Sequence, residues 1–96
     1  MATVEITVFS LAGEADDEAF LAADRAVQTE LIPNQPGFMR RTTARRGDTW
    51  LVLTLWRSAA DAEAFETAVQ GHAVQVAFEK RIDPASRRQQ RFDTLD

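Results

Sequence analysis

A chain of 96 residues can enclose one hydrophobic core but leaves no room for a separate cofactor domain, so residues 1–96 are read as one domain. Its 45% hydrophobic and 27% charged residues exclude disordered, collagen-like and membrane-spanning compositions. Eleven basic against fifteen acidic residues give a net charge of −4, which argues against nonspecific binding to nucleic acid or an anionic membrane. With no cysteine there is no disulfide framework, thiolate zinc site or cysteine nucleophile. The opening MATVEITVFSLAG lacks a basic segment before its apolar run and a small-residue cleavage site after it, so a cytoplasmic location is expected.

The first element is a strand over Val4–Phe9, where Val4, Ile6 and Val8 alternate with Glu5, Thr7 and Phe9. Asp16 or Asp17 can cap a helix in which Phe20, Ala23, Asp24, Val27 and Leu31 share a face. Pro33 and Pro36 end it near Leu31. Strands from Phe38 to about Arg45 and from Thr49 to Trp56 flank a Gly47-Asp48 turn and form a hairpin. Ser58 and Asp61 resemble a capping box opening a helix through Val69, and a short helix follows from Ala73 to about Arg81. Asp83-Pro84 stops it, and Arg87–Thr94 can supply a last strand. The order β-α-β-β-α-(α)-β predicts an α+β domain of the split-βαβ, ferredoxin-like kind with an antiparallel sheet.

A two-residue turn pairs Arg46 with Thr49 and sorts the hairpin into two faces. One carries Phe38, Arg40, Thr42, Ala44, Leu51, Leu53 and Leu55; the other carries Met39, Arg41, Thr43, Arg45, Trp50, Val52, Thr54 and Trp56. The leucine face is expected to seat the helices. A monomer would then leave two tryptophans in water, so a homodimer through Trp50, Val52, Thr54 and Trp56 is expected.

Asp24 lies inside the apolar stripe of the first helix and needs a partner there. Arg40, the one charged residue of the leucine face, is the expected partner, with Gln28 one helical turn on. The pair is either structural or the polar wall of a pocket between helix and sheet. His72, the one histidine, follows Gly71 between two helices and is a candidate base. Alone, it cannot build a multi-histidine metal site, and no phosphate-binding glycine motif occurs, so no metal and no cofactor are expected. The arginines at 40, 41, 45, 46, 87, 88 and 91 are interleaved with acidic residues and read as solvated strand edges or interface ion pairs rather than a nucleic-acid stripe.

Gln35-Pro36-Gly37-Phe38, an Arg-rich strand, Asp48-Thr49-Trp50, the run Leu51-Val52-Leu53-Thr54-Leu55-Trp56-Arg57-Ser58 and an Ala-rich helix carry a resemblance over about Val4 to Phe78. The pattern resembles the antibiotic biosynthesis monooxygenase-like families of the dimeric α+β barrel superfamily. The resemblance implies a homodimer with sheets packed face to face and a cleft between sheet and helices in each subunit. It implies a small organic ligand and, if the chain is an enzyme, cofactor-independent monooxygenation of a small aromatic or quinol-type compound. Asp24 and His72 are then the candidate catalytic bases, and Gln28, Arg40, Trp56 and Phe65 the candidate substrate-binding residues. Metabolite binding without turnover, or a purely structural barrel, is the alternative. Haem degradation ranks last, because that branch resembles a pattern of Asn on the first strand, Trp on the second helix and a following His, where this chain has Thr7, Phe65 and His72.

Overall fold

The computed structural model describes residues 1–95; Asp96 lies outside the described residues. The elements are β1 (Thr3–Phe9), α1 (Asp17–Ala26) with a π-helical continuation Val27–Leu31, β2 (Phe38–Arg46), β3 (Thr49–Trp56), α2 (Ala59–Ala68), α3 (Ala73–Glu79) and β4 (Arg88–Asp93). The strands pair antiparallel in the order β2-β3-β1-β4, which is the ferredoxin-like split βαβ.

Local chemistry accounts for the boundaries. Asp16 Oδ1 accepts from the Ala19 N–H at 2.6 Å and starts α1. The wider last turn bonds the Ile32 N–H to the Val27 carbonyl five residues back, and Val27, Leu31 and Ile32 are all buried. Ser58 Oγ accepts from the Asp61 N–H at 3.1 Å and donates to Asp61 Oδ2 at 2.9 Å, the expected capping pair.

The hairpin register is the expected one from Arg46↔Thr49 to Arg40↔Leu55, and a bulge at Met39 then brings Phe38 opposite Trp56. The helices, however, cover the tryptophan face rather than the leucine face. Trp56 is 0% exposed and Trp50 5%. The homodimer contact expected through Trp50, Val52, Thr54 and Trp56 is therefore corrected: the chain's own helices occupy that face. Volume and polarity decide between the faces. Two aromatic groups fill a two-layer core: Phe9, Phe20, Trp50 and Phe78 with ring centroids 4.7–6.4 Å apart at one end of the sheet, and Phe38, Trp56 and Phe65 at the other. Asp24, on the sheet-facing side of α1, also meets the Arg41 guanidinium and the Thr43 hydroxyl on this face. Val4, Ile6, Val8, Leu51, Leu53 and Leu55 form the outer face and are half-buried.

Gly37 has φ +79°, and a Cβ there would lie 2.2 Å from Asp61 Oδ2. Gly37→Ala is expected to lower the unfolding free energy in a urea titration by about 2 kcal/mol, from left-handed backbone strain and displacement of the capping pair. Gly13→Ala, where a Cβ meets nothing within 4 Å, should change it by less than about 0.5 kcal/mol.

Candidate functional site

Between the two aromatic groups the inner face of the sheet carries smaller and polar side chains. Strand pairing aligns Arg41 (β2), Thr54 (β3), Glu5 (β1) and Arg91 (β4) in one row, with Thr43, Val52, Thr7 and Gln89 in the next. Small residues flanked by tryptophans leave space under the helices. A cavity of about 460 Å³ lies there, floored by Glu5, Thr7, Arg41 and Thr54 and walled by Trp56 and Phe65 among others. Its size is within the range of small-molecule sites.

The Arg41 side chain is 3% exposed and is held from three sides. Its Nη2 donates to Asp24 Oδ1 at 2.8 Å and its Nη1 to Gln28 Oε1 at 3.2 Å, with a longer contact to Thr43 Oγ1 at 3.5 Å. Thr43 Oγ1 in turn donates to Asp24 Oδ1 at 2.9 Å. The guanidinium carbon sits 5.5 Å from the Phe78 ring centroid, a cation–π contact. Arginine has five N–H donors. Three are taken up here, and two remain.

At the other end of the row, Glu5 Oε2 accepts from Arg91 Nε at 2.7 Å. Arg91 also reaches Glu66 at 3.0 Å and Glu63 at 3.8 Å, tying β4 to α2 beside the cavity. Desolvation opposes the Arg91 charge, but the Glu5 hydrogen bond and the charges of Glu5, Glu66 and Glu63 outweigh it and hold the guanidinium above its usual range. Trp56 lines the cavity, and its buried Nε1–H has no hydrogen-bond partner among the described residues.

The expected site residues divide accordingly. Asp24 and Gln28 come together, on Arg41 rather than Arg40. Trp56 and Phe65 pack with centroids 5.1 Å apart and both line the cavity. Arg40 is corrected out of the site: it pairs with Leu55, points to the outer face and is exposed. His72 is exposed and caps α3, its Nδ1 accepting from the Val74 N–H at 3.1 Å; it does not line the cavity. Glu5 and Arg41 are the residues that sequence reasoning missed. The signal for them is the period-2 alternation itself, since Glu5, Arg41 and Thr54 occupy the same face as the tryptophans.

No protein-family model matches the chain, and no curated protein matches its sequence. Solved structures do match over nearly its whole length. The cofactor-independent oxygenase SnoaB from Streptomyces nogalater superposes with a TM-score of 0.82 at 13% identity, covering 99% of this chain and 94% of that one. A candidate antibiotic biosynthesis monooxygenase from Nitrosomonas europaea gives 0.78 at 19% identity, covering 98% and 90%. The chain has the fold of the antibiotic biosynthesis monooxygenases. That fold also includes a dimeric protein from Bacteroides fragilis described as ferredoxin-like, with a TM-score of 0.70 at 14% identity, covering 97% of this chain and 96% of that one.

Replacing Asp24 by Ala leaves the buried Arg41 charge without its counter-ion and should cost about 3 kcal/mol of unfolding free energy in urea. Asp24→Leu combined with Arg41→Met should cost less than Asp24→Ala alone, because no unpaired charge is left behind. A larger loss in the double variant would contradict the ion-pair description.

Proposed function

We propose that the chain, acting as one domain, binds a small aromatic or quinol-type compound in the inner cavity and oxygenates it without a cofactor. The observation that carries this reading is Arg41, a buried guanidinium fixed on three sides with donors to spare, facing an aromatic wall. A ring compound fits in the cavity against the Trp56 and Phe65 rings, and an oxygen that gains negative charge as the ring is activated is stabilised by Arg41. The burial of the guanidinium strengthens that interaction. In the overall reaction one oxygen atom of O₂ is kept by the ring as a carbonyl or hydroxyl, and the other leaves as water with two hydrogens from the substrate. Asp24 serves as a positioning residue for Arg41, with Gln28 beside it. The likeness to SnoaB, described as a cofactor-independent oxygenase, supports the reaction class.

A second reading is binding without turnover. It is favoured by one observation: neither Asp24 nor His72, the residues expected to act as base, lines the cavity.

The reading includes a homodimer, through the outer face instead of the tryptophan face. Six half-buried aliphatic side chains, three each on β1 and β3, form an apolar surface that no helix covers among the described residues. Its further burial would contribute on the order of 1 kcal/mol per side chain. The Bacteroides fragilis neighbour is described as dimeric.

Oxygen uptake with a panel of quinols, together with native mass spectrometry, tests the reading. A dimer that consumes oxygen with at least one quinol, and loses tenfold or more in rate on Arg41→Gln, is the expected result. Ligand retention without oxygen uptake would select the second reading. A wild-type monomer at micromolar concentration would remove the dimer, and Leu53→Glu should convert the dimer to monomer.

A further inference from the structure

Glu5 is the carboxylate that the fold sets into the cavity floor. Its side chain is 13% exposed, and one oxygen is committed to Arg91. Oε1 accepts no hydrogen bond among the described residues. Across the row, Thr54 separates Glu5 from Arg41, so their backbones stand two strand spacings apart, about 10 Å. The two ends of the row therefore offer opposite things to a ligand: a free acceptor at Glu5 and free donors at Arg41. The local charge does not favour an anion. Arg41 is neutralised by Asp24 and Arg91 by Glu5, and at the cavity wall Glu66 and Glu79 outnumber Arg87.

Resting on the binding reading above, we infer that Glu5 makes this cavity select neutral, hydroxyl-bearing ring compounds over carboxylates and phosphates. The ligand hydroxyl donates to Glu5 Oε1, and a conjugated oxygen at the far end of the ring accepts from Arg41. In the proposed oxygenation the O–H bond breaks at the Glu5 end. Its electron pair stays on the ligand and spreads through the ring to the oxygen at Arg41, while the proton passes to Glu5 Oε1. This makes Glu5, not Asp24 or His72, the proton acceptor.

A hydrogen bond into a charged carboxylate favours the protonated form of the ligand, which gives a readout that a purely structural role would not move. The charged groups around that hydrogen bond are Arg91 on β4, Arg87 just before β4, Glu63 and Glu66 on α2, Glu79 on α3, and the Arg41–Asp24 pair of β2 and α1. The probe is 4-nitrophenol, a hydroxyl and a nitro group at opposite ends of one ring, titrated near its own ionisation pH so that the coloured phenolate is visible. Wild-type protein is expected to deplete the phenolate band on binding and to bind 4-nitrobenzoate at least tenfold more weakly than the neutral phenol. Glu5→Gln should weaken binding of the neutral phenol by tenfold or more and abolish the depletion. Glu5→Asp, which keeps the charge, should retain the preference for the protonated probe. Equal affinity and the same band change in wild type and Glu5→Gln would overturn the role of Glu5 while leaving the cavity as a binding site. No binding of the probe to wild-type protein would overturn both.

Discussion

A guanidinium buried to 3% exposure has to be paired, and the pairing of Arg41 with Asp24 fixes much else in this molecule. It sets the rotation of α1 against the sheet, because Asp24 must face β2 and Gln28, one turn on, then faces it as well. Together with the aromatic volume of the same face, it decides which surface of the sheet is interior. It also places a cation in the floor of the cavity with donors left over, held too firmly to swing away from a ligand. Stability and the proposed binding therefore draw on the same side chains, and the candidate site is built on strands rather than on loops.

The cavity follows from a packing constraint on top of that pairing. Large rings at the two ends of the inner face, Phe9 with Trp50 and Phe38 with Trp56, hold the helix layer off the sheet, while Val52, Thr54 and Thr7 between them are too short to fill the gap. Close-packed interiors leave few such spaces, and those lined by polar groups are filled by water or a ligand. The row of Arg41, Thr54, Glu5 and Arg91 turns the gap into a site with a donor end and an acceptor end. Arg91 joins it to α2, so the helix that supplies Phe65 to the wall is tied by charge to the edge strand beneath it.

Much of the fold was legible in the residues. The capping residues Asp16 and Ser58, the Gly47-Asp48 turn and the alternation of Thr49–Trp56 each have a local cause, and each produced the element it predicts. The register from Arg46 to Arg40 was legible for the same reason. What local reasoning missed was which face of a correctly registered hairpin turns inward. Counting aliphatic residues favoured Leu51, Leu53 and Leu55, yet the interior went to the face that carries aromatic volume and the partner of Asp24. That one reversal moved the ion pair from Arg40 to Arg41 and the uncovered apolar surface from the tryptophans to the leucines. Asp24, Gln28, Trp56 and Phe65 remained near the site because their placement rests on helical spacing or on size. Arg40 and His72 did not, because a strand position depends on the face and an exposed helix cap needs only its own backbone. Glu5 was hidden because its partners, Thr54, Arg41 and Arg91, are brought into line only by pairing between strands distant in sequence.

The chain has two tryptophans, and they report on opposite ends of the inner face. Trp56 lines the cavity with an unpartnered indole N–H, while Trp50 is packed among Phe9, Phe20 and Phe78 and does not line it. Their two indole ¹H–¹⁵N resonances, followed by NMR during titration with 4-nitrophenol, locate the ligand directly. Binding in the inner cavity shifts the Trp56 indole signal and leaves that of Trp50 in place. Binding that leaves both signals unmoved, or that moves Trp50 alone, would contradict a ligand site built on Arg41 and Glu5.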